Sequence, residues 1–215
     1  MDAALSIEVW SDLVCPWCYL GKRRLEAALR ERPRLTAALR WRPFELNPDL
    51  PPGGADRREY LTRKFGDAAR LRAVHERLVA LGRAAGIAYR FEDIGRVPNT
   101  RPAHALLALA GARQDAVVDG LFRAYFEDGR DLGDVAVLGA VAAAAGLELD
   151  GLPARLAAGE LLAAVEADER EAARLGIGGV PFFVFAGRWA VSGAQETAML
   201  VGALDQVVAA LERGG

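Results

Sequence analysis

Cysteine and histidine are scarce in this chain, since its 215 residues contain only two of each. A scaffold of several disulfides is excluded, because two cysteines can form one bridge at most. The histidines, His75 and His104, stand far from both cysteines in the sequence and at no finger-like spacing, so a zinc site would lack two of its four usual ligands. We therefore expect no bound metal.

Net charge and long apolar runs are also missing. The 27 basic and 29 acidic side chains leave a formal charge of −2, which gives no reason to expect nucleic acid or an anionic membrane as a partner. No segment approaches the roughly 18 consecutive apolar residues of a membrane-spanning helix, and the N-terminus lacks the pattern of an export signal. These absences predict a cytoplasmic protein. Its 52% hydrophobic content allows a substantial core in one domain.

What the chain does contain is both cysteines in one motif, Cys15-Pro16-Trp17-Cys18. Residues 5–10 alternate apolar and polar side chains, which predicts a strand, and Pro16 suits the first position of a helix. Cys15 then lies at the helix N-terminus, where unpaired N–H groups and the helix dipole favour a thiolate. Cys18 follows one turn later, within reach of a mixed disulfide at Cys15. We predict dithiol–disulfide chemistry in which Cys15 attacks and Cys18 resolves.

Two structural interpretations of the cysteine pair compete with this one. A static disulfide would close a loop of only about four residues, which removes little chain entropy, and cytoplasmic thiols are kept reduced. Two inert buried cysteines are the other interpretation, but chance rarely places two of them at a helix start with this spacing.

Patterns along the rest of the chain predict a thioredoxin-like α/β fold, β-α-β … β-β-α, with a large α-helical insertion. Helices are predicted at 16–31, at 57–85 with an interruption at Gly66, and at 195–211, and strands at 39–44, 182–185 and 189–191. Residues 47–55 form a predicted loop, and 100–174 show only helical patterns, broken at 111–115, 128–134, 146–153 and 159. We assign 1–95 and 175–215 to the thioredoxin-like domain and 96–174 to the insertion.

The segment Gly178-Gly179-Val180-Pro181 is a second candidate site element. A proline that opens a strand after two glycines suits a tight turn with a cis peptide bond, although a trans proline that only starts the strand fits the same residues. In a thioredoxin-like fold this loop faces the helix that carries the thiols. The backbone of Val180 would then pair with an extended substrate and bring its sulfur to Cys15.

Four ordered motifs resemble the DsbA-like thioredoxin family, specifically its FrnE-type cytosolic branch. They lie at 11–21, 99–104, 179–185 and 191–195 and span nearly the whole chain. The resemblance implies a thioredoxin fold with a helical insertion, an attacking cysteine at Cys15, a resolving cysteine at Cys18 and a cis-proline at Pro181. Trp17 replaces the histidine usual in periplasmic members, which puts a strongly oxidising pair in doubt. The second cysteine pair of some FrnE-type members is missing.

The same superfamily contains 2-hydroxychromene-2-carboxylate isomerases and kappa-class glutathione transferases, which supply the alternative function. Those proteins generally have serine at the first thiol position, so the retained cysteine pair favours redox exchange. Asn99 and His104 keep the alternative open, because their motif resembles one beside the active site in both branches and could hold a glutathione carboxylate. The structural interpretation makes Asn99 a helix cap and His104 a helix residue satisfied by backbone or solvent.

The predicted site has the catalytic residues Cys15, Cys18 and Pro181 and the substrate-binding residues Pro16, Trp17, Val180, Asn99 and His104. We expect no cofactor beyond the redox-active Cys15–Cys18 pair, with glutathione as a candidate co-substrate. The expected partner is a protein or small molecule that contains a thiol or disulfide, and not nucleic acid or membrane. The arginine and glutamate residues of 57–83 are interpreted as a solvated helix face. The direction of exchange, and whether the chain is a monomer or a homodimer, stay open.

Overall fold

A four-stranded sheet lies at the centre of the computed structural model, which describes residues 4–147 and 150–214. In chain order the elements are β1 (Leu5–Ser11), α1 (Pro16–Arg30), β2 (Ala37–Pro43), β3 (Ala55–Asp56), α2 (Arg57–Phe65), α3 (Ala68–Ala84), β4 (Arg96–Val97), α4 (Arg101–Leu109), α5 (Gln114–Phe126), α6 (Val135–Ala144), α7 (Leu152–Ala157), α8 (Leu162–Arg174), β5 (Phe182–Phe185), β6 (Trp189–Ser192) and α9 (Thr197–Gly214). The sheet order is β2-β1-β5-β6. β1 is parallel to β2 and antiparallel to β5, which is antiparallel to β6.

The fold class is confirmed: strands and helices follow the predicted thioredoxin-like order, with helices between the two halves of the sheet. The predicted interruption at Gly66 separates α2 from α3, because Gly66 adopts φ +67°, a conformation that favours glycine. Asp67 then caps α3 by accepting the N–H of Ala69 at 2.8 Å. The break is thus built from a glycine that ends one helix and an aspartate that begins the next.

Several boundaries differ from the prediction. β2 begins at Ala37 rather than at residue 39, and Ala55, predicted as loop, pairs with Val97 in the two-residue ladder of β3 and β4. So short a ladder leaves no alternation to detect in the sequence. The predicted break at 146–153 includes residues 148 and 149, and the predicted domain limits include 1–3 and 215; these lie outside the described residues. The first helix after β2 begins at Arg57, well before the predicted start of the insertion at residue 96. The assignment of 96–174 as the insertion stays a prediction.

The sheet brings the two candidate site segments together. Alternate residues of β1 and β5 are buried, among them Ile7, Val9 and Phe183. Because the two strands are antiparallel, with Trp10 opposite Phe182, the end of β1 lies beside the start of β5. The Cys15 loop and the Val180–Pro181 loop therefore meet at one edge of the sheet.

The helices between β2 and β5 pack closely on one another. A Cβ added at Gly120 of α5 would lie 2.9 Å from Val141 Cγ1 of α6, so these two helices approach closely where the glycine has no side chain. Within the part of the chain that the structure describes, every helix is too short or too polar to span a membrane.

Candidate functional site

Both cysteines lie where α1 begins, directly after β1. Cys15 is the N-cap residue of α1, as predicted, and Pro16 opens the helix. The Cys18 N–H donates to the Cys15 carbonyl oxygen at 3.0 Å. Both thiols are free, with Cys15 4% exposed and Cys18 1% exposed. Cys15 lines the groove described below and Cys18 does not, so the first thiol is the one positioned to meet a substrate.

The surroundings of Cys18 keep it protonated. Burial raises the pKa of the Cys18 thiol well above its ordinary value, and the adjacent Cys15 raises it further. The Ser11 side chain and the backbone at Asp12 act in the opposite direction. Since a thiol must lose its proton to attack a disulfide, the raised pKa lowers the reactivity of the Cys18 thiol in the resting protein.

The loop before β5 lies against the start of α1. The Val180–Pro181 peptide bond is cis, as the resemblance implies. The Cys15 thiol donates a hydrogen bond to the Val180 carbonyl oxygen, with Sγ and oxygen 3.8 Å apart. A Cβ at Gly21 of α1 would lie only 2.8 Å from Pro181 Cγ. The absence of a side chain at Gly21 therefore allows the loop to approach the helix, a role that the sequence reasoning missed.

Asp12 ties the loop before Cys15 to the segment that follows β2. Its carboxylate accepts the N–H of Leu46 at 2.7 Å and that of Val14 at 3.4 Å. Its carbonyl oxygen accepts the Cys15 N–H at 3.1 Å. Asp12 therefore supports the loop before Cys15, a role that the sequence reasoning missed.

His104 is buried beside Asp12. Its Nε2 lies 3.7 Å from Asp12 Oδ1, its ring is fully buried, and neither ring nitrogen has a hydrogen-bond partner among the described residues. No backbone group among the described residues bonds to the ring, and the interpretation of a ring satisfied by solvent stays a prediction.

Asn99 stabilises the local chain at the start of α4. Its side-chain amide donates to the Leu50 carbonyl oxygen at 2.7 Å, and its carbonyl oxygen accepts the Arg101 N–H at 3.0 Å. The second bond satisfies the N–H of the first residue of α4, although the N-cap position of that helix is Thr100 rather than Asn99. Neither Asn99 nor His104 lines the groove beside Cys15, and their assignment to substrate binding stays a prediction.

Tyr89 is a further site residue that the sequence reasoning missed. Its hydroxyl donates to the Pro16 carbonyl oxygen at 2.5 Å, inside the turn that joins the two cysteines. Burial raises the pKa of this hydroxyl, and the nearby Cys15 adds to the effect, so Tyr89 remains a donor. Its ring stacks on Phe91 with centroids 5.0 Å apart. In the sequence, the large apolar residues Ile87, Tyr89 and Phe91 stand at alternate positions, and this pattern could have indicated that Tyr89 is buried.

A groove of about 720 Å³ opens beside Cys15. Pro16, Trp17 and Val180 line it together with Cys15, and residues of α2 and α3 line it as well. Trp17 is half-buried, and the guanidinium of Arg77 lies 6.0 Å from the centre of its ring. Three of the five predicted substrate-binding residues therefore line the same groove as Cys15.

A charged cluster lies at the segment that follows β2. The Glu45 carboxylate accepts a hydrogen bond from Arg101 Nε at 2.9 Å, and the Glu45 N–H donates to Glu169 Oε1 at 3.2 Å. Burial raises the pKa of Glu169 to about 7, and the neighbouring Glu45 carboxylate contributes to that shift. A carboxyl group that titrates near neutrality thus lies on α8, close to the loop that Asp12 holds.

Comparison with known proteins gives a consistent result. The family model described as a DSBA-like thioredoxin domain matches residues 6–205. A solved structure of a probable DsbA oxidoreductase from Streptomyces coelicolor is 37% identical, with a TM-score of 0.87 over 95% of this chain and 90% of that one. The cytosolic disulfide reductase DsbM from Pseudomonas aeruginosa, solved with GSH, is 24% identical, with a TM-score of 0.62 over 97% and 98% of the two chains. A 2-hydroxychromene-2-carboxylate isomerase is 14% identical, with a TM-score of 0.70 over 98% and 99%. The last two show likeness of fold alone.

Proposed function

Because this chain belongs to the DSBA-like thioredoxin domain family, we propose that it is a thiol–disulfide oxidoreductase whose active site is Cys15-Pro16-Trp17-Cys18. One observation carries the proposal: the two cysteines occupy unequal positions at one helix start. Cys15 lines a groove beside the Val180 carbonyl, while Cys18 does not line the groove and is buried, with a raised pKa. An attacking thiol must be accessible to the substrate, and a resolving thiol acts only after a mixed disulfide has formed at the first cysteine.

The exchange proceeds in two displacements. The Cys15 thiolate attacks one sulfur of a disulfide RS–SR′, the S–S bond breaks, and RS⁻ leaves and takes up a proton. Cys18 then loses its proton, attacks the Cys15 sulfur and releases R′S⁻, which is protonated in turn. The protein ends with a Cys15–Cys18 disulfide and the substrate as two thiols. The reverse sequence oxidises a dithiol substrate.

The Val180–Pro181 loop supports the substrate during the first displacement. The Val180 carbonyl oxygen is already within hydrogen-bond reach of Cys15 Sγ, and a backbone edge next to a reacting sulfur can pair with an extended substrate segment. Trp17 supplies an apolar wall of the same groove. A cytoplasmic location and membership of the FrnE-type branch are part of this proposal and are supported by the sequence motifs.

The test is the equilibrium reduction potential of the Cys15–Cys18 pair in a glutathione redox buffer, followed by the fluorescence of Trp17. Trp17→Phe identifies the contribution of this residue among the four tryptophans. We expect a reversible two-electron transition that both Cys15→Ser and Cys18→Ser abolish. In addition, Cys18→Ser should accumulate a stable mixed disulfide at Cys15.

Two results would contradict the proposal. The first is the absence of any transition in the intact pair. The second is a Cys15→Ser variant that exchanges disulfides as fast as the unmodified protein. Absence of a transition together with saturable glutathione binding would instead favour a glutathione-dependent transferase or isomerase. Within the proposal, a potential near the thioredoxin value of about −270 mV indicates a reductase, and one near about −120 mV indicates an oxidase.

A further inference from the structure

His104 of α4 is a buried polar side chain that the proposed reaction does not use. Its ring is fully buried, and the described residues supply no hydrogen-bond partner to either ring nitrogen. A buried polar group without a partner costs free energy, and native proteins keep few such groups. An apolar side chain of similar size would fill the space without that cost, so the imidazole needs an explanation other than packing.

The carboxylate of Asp12 is the group that the imidazole faces. Asp12 Oδ1 lies 3.7 Å from His104 Nε2, which exceeds an ordinary hydrogen bond by only about half an ångström. The other oxygen, Oδ2, accepts the Leu46 N–H at 2.7 Å, whereas Oδ1 has the long 3.4 Å bond from the Val14 N–H. The oxygen that is bonded more weakly is therefore the one next to the imidazole, and a small movement of either side chain completes a bond between them.

Other charged groups lie near His104 but have partners of their own. The Glu45 carboxylate accepts the bond from Arg101 described above. His104 is near enough to Glu169 to oppose the rise in the pKa of that carboxyl group. Within residues 4–147 and 150–214, neither glutamate comes within 4.0 Å of the imidazole nitrogens. Asp12 is therefore the acceptor that an N–H at His104 Nε2 can reach.

The backbone of Asp12 connects this pair to both cysteines. Its carbonyl oxygen accepts the Cys15 N–H at 3.1 Å, and it lies near enough to the Cys18 thiol to lower the pKa of that thiol against the larger effect of burial. Cys15 lines the groove, where solvent can stabilise its thiolate, whereas Cys18 does not line it and depends on the protein groups around it. A change at Asp12 should therefore affect the Cys18 thiol more than the Cys15 thiol.

We infer that His104 is a positioning residue for the second displacement: a hydrogen bond from its Nε2 to Asp12 Oδ1 holds the Asp12 backbone where Cys18 loses its proton. This inference rests on the function proposed above and adds a residue to the same reaction. In that step the Cys18 sulfur bonds to the Cys15 sulfur, the bond from Cys15 to the substrate sulfur breaks, and the substrate leaves as a thiolate. The leaving thiolate takes up a proton, which balances the one that Cys18 gives up. His104 does not line the groove, so it acts through Asp12 and not on the substrate.

The experiment measures the two displacements separately in the full-length protein. The reduced protein is mixed with 2,2′-dipyridyl disulfide, an uncharged reagent that releases one coloured 2-thiopyridone when Cys15 attacks it and another when Cys18 resolves the mixed disulfide. The first rate depends on the concentration of the reagent and the second does not. The variants are His104→Leu, which has no polar atom, His104→Gln, whose amide nitrogen replaces Nε2, and His104→Asn, whose amide nitrogen replaces Nδ1. Leu107→Ala is the control for lost stability, since Leu107 is a buried residue of the same helix with an apolar side chain.

We expect His104→Leu to slow the second release about 10- to 100-fold, the effect of losing one hydrogen bond to a charged group, and to slow the first release less than about threefold. His104→Gln should restore the second release, because it keeps a donor at the position of Nε2, and His104→Asn should not. In an Asp12→Asn background, His104→Leu should have a much smaller effect, because residues that act through one contact are not additive. Leu107→Ala should lower the melting temperature and leave both releases unchanged. The comparison of His104→Gln with His104→Asn remains informative if His104→Leu fails to fold.

The inference is wrong if the His104 variants slow both releases equally, or if Leu107→Ala slows the second release as much as His104→Leu, because the role of the imidazole would then be structural. It is also wrong if His104→Gln and His104→Asn have the same rates. A slower first release with an unchanged second one would overturn it in favour of substrate binding by His104. If the unmodified protein releases no second 2-thiopyridone, the proposed function fails rather than this inference.

Discussion

Replacing Gly21 with alanine should destabilise the protein at the contact between α1 and the Pro181 loop. A Cβ at this position would lie 2.8 Å from Pro181 Cγ and 3.2 Å from Phe183 Cζ, inside the separation of about 3.5–4.0 Å that favours carbon contacts. Neither neighbour can turn away easily, because proline is a ring and Phe183 is fully buried. Overpacking of this kind costs about 1–3 kcal/mol, whereas alanine in place of a helical glycine gains about 1 kcal/mol.

Gly202 provides the matched control, because it lies within α9 and an added Cβ there meets no atom within 4 Å. Gly202→Ala should raise the free energy of unfolding by up to about 1 kcal/mol. Gly21→Ala should fall about 1–3 kcal/mol below that variant. For a chain of this size each kcal/mol corresponds to about 2–4 °C, so thermal unfolding should separate the two by roughly 2–12 °C.

The rate at which Cys15 is alkylated gives a second measurement on the same variants. The Val180 carbonyl oxygen now lies 3.8 Å from Cys15 Sγ and must move if the loop is displaced. Gly21→Ala should therefore change the alkylation rate, and Gly202→Ala should not. If Gly21→Ala melts at or above Gly202→Ala, the close approach of the loop is not a feature of the folded protein, and the reasoning is refuted.

Three further predictions follow from buried polar groups. Tyr89→Phe should lower the free energy of unfolding by about 0.5–1.5 kcal/mol and change the alkylation rate of the nearby thiols. Tyr125→Phe, which also loses a bond to a backbone carbonyl, should lower the free energy of unfolding by the same amount and leave the alkylation rate unchanged. The prediction fails if the two variants are alkylated at the same rate. The pKa of Glu169 is raised from 4.5 to about 7, so between these pH values the folded protein binds more protons than the unfolded chain. The free energy of unfolding should therefore fall by about 1–3 kcal/mol as pH rises from about 5 to 8, a range already reduced for the partial exposure of Glu169. Glu169→Gln should abolish that fall in urea unfolding, and an unchanged pH profile would argue against the assignment. Lys22→Met should cost about 1–3 kcal/mol in the same assay, since Lys22 is 2% exposed but its three carboxylate partners are 23%, 49% and 26% exposed. A loss below about 0.5 kcal/mol would show that these ion pairs do not stabilise the folded protein.

The fold could be predicted because its signals are local. Alternation over residues 5–10, a proline just inside α1 and a glycine followed by an aspartate between α2 and α3 can each be recognised within a few residues of sequence. The position of Cys15 at the helix start follows from the same signals. These features need no knowledge of which elements pack together.

The partial burial of Arg57, which lines the groove beside Cys15, could not be predicted, because it depends on distant packing. The arginines from residue 57 onward alternate with glutamates in a pattern typical of a solvated helix face. Arg57 departs from that interpretation only because Phe91 and His75 pack beside it. The sequence of a helix shows which residues are polar, but the packing of neighbouring elements determines which of those residues are desolvated.

The turn between Cys15 and Cys18 is supported from both of the regions that we assign on either side of residue 96. Tyr89, from the connection after α3, bonds to the Pro16 carbonyl, and the Tyr19 hydroxyl of α1 donates to Glu127, just beyond α5, at 2.7 Å. Lys22 of α1 pairs with acidic side chains of α5. One continuous hydrophobic core contains residues of β1, α1, α4 and α5. The helical region therefore does more than cover the sheet: it supplies hydrogen bonds and counter-charges to the helix that carries the thiols. Substitutions in α5 that remove these contacts should accordingly change the reactivity of the cysteine pair as well as the free energy of unfolding.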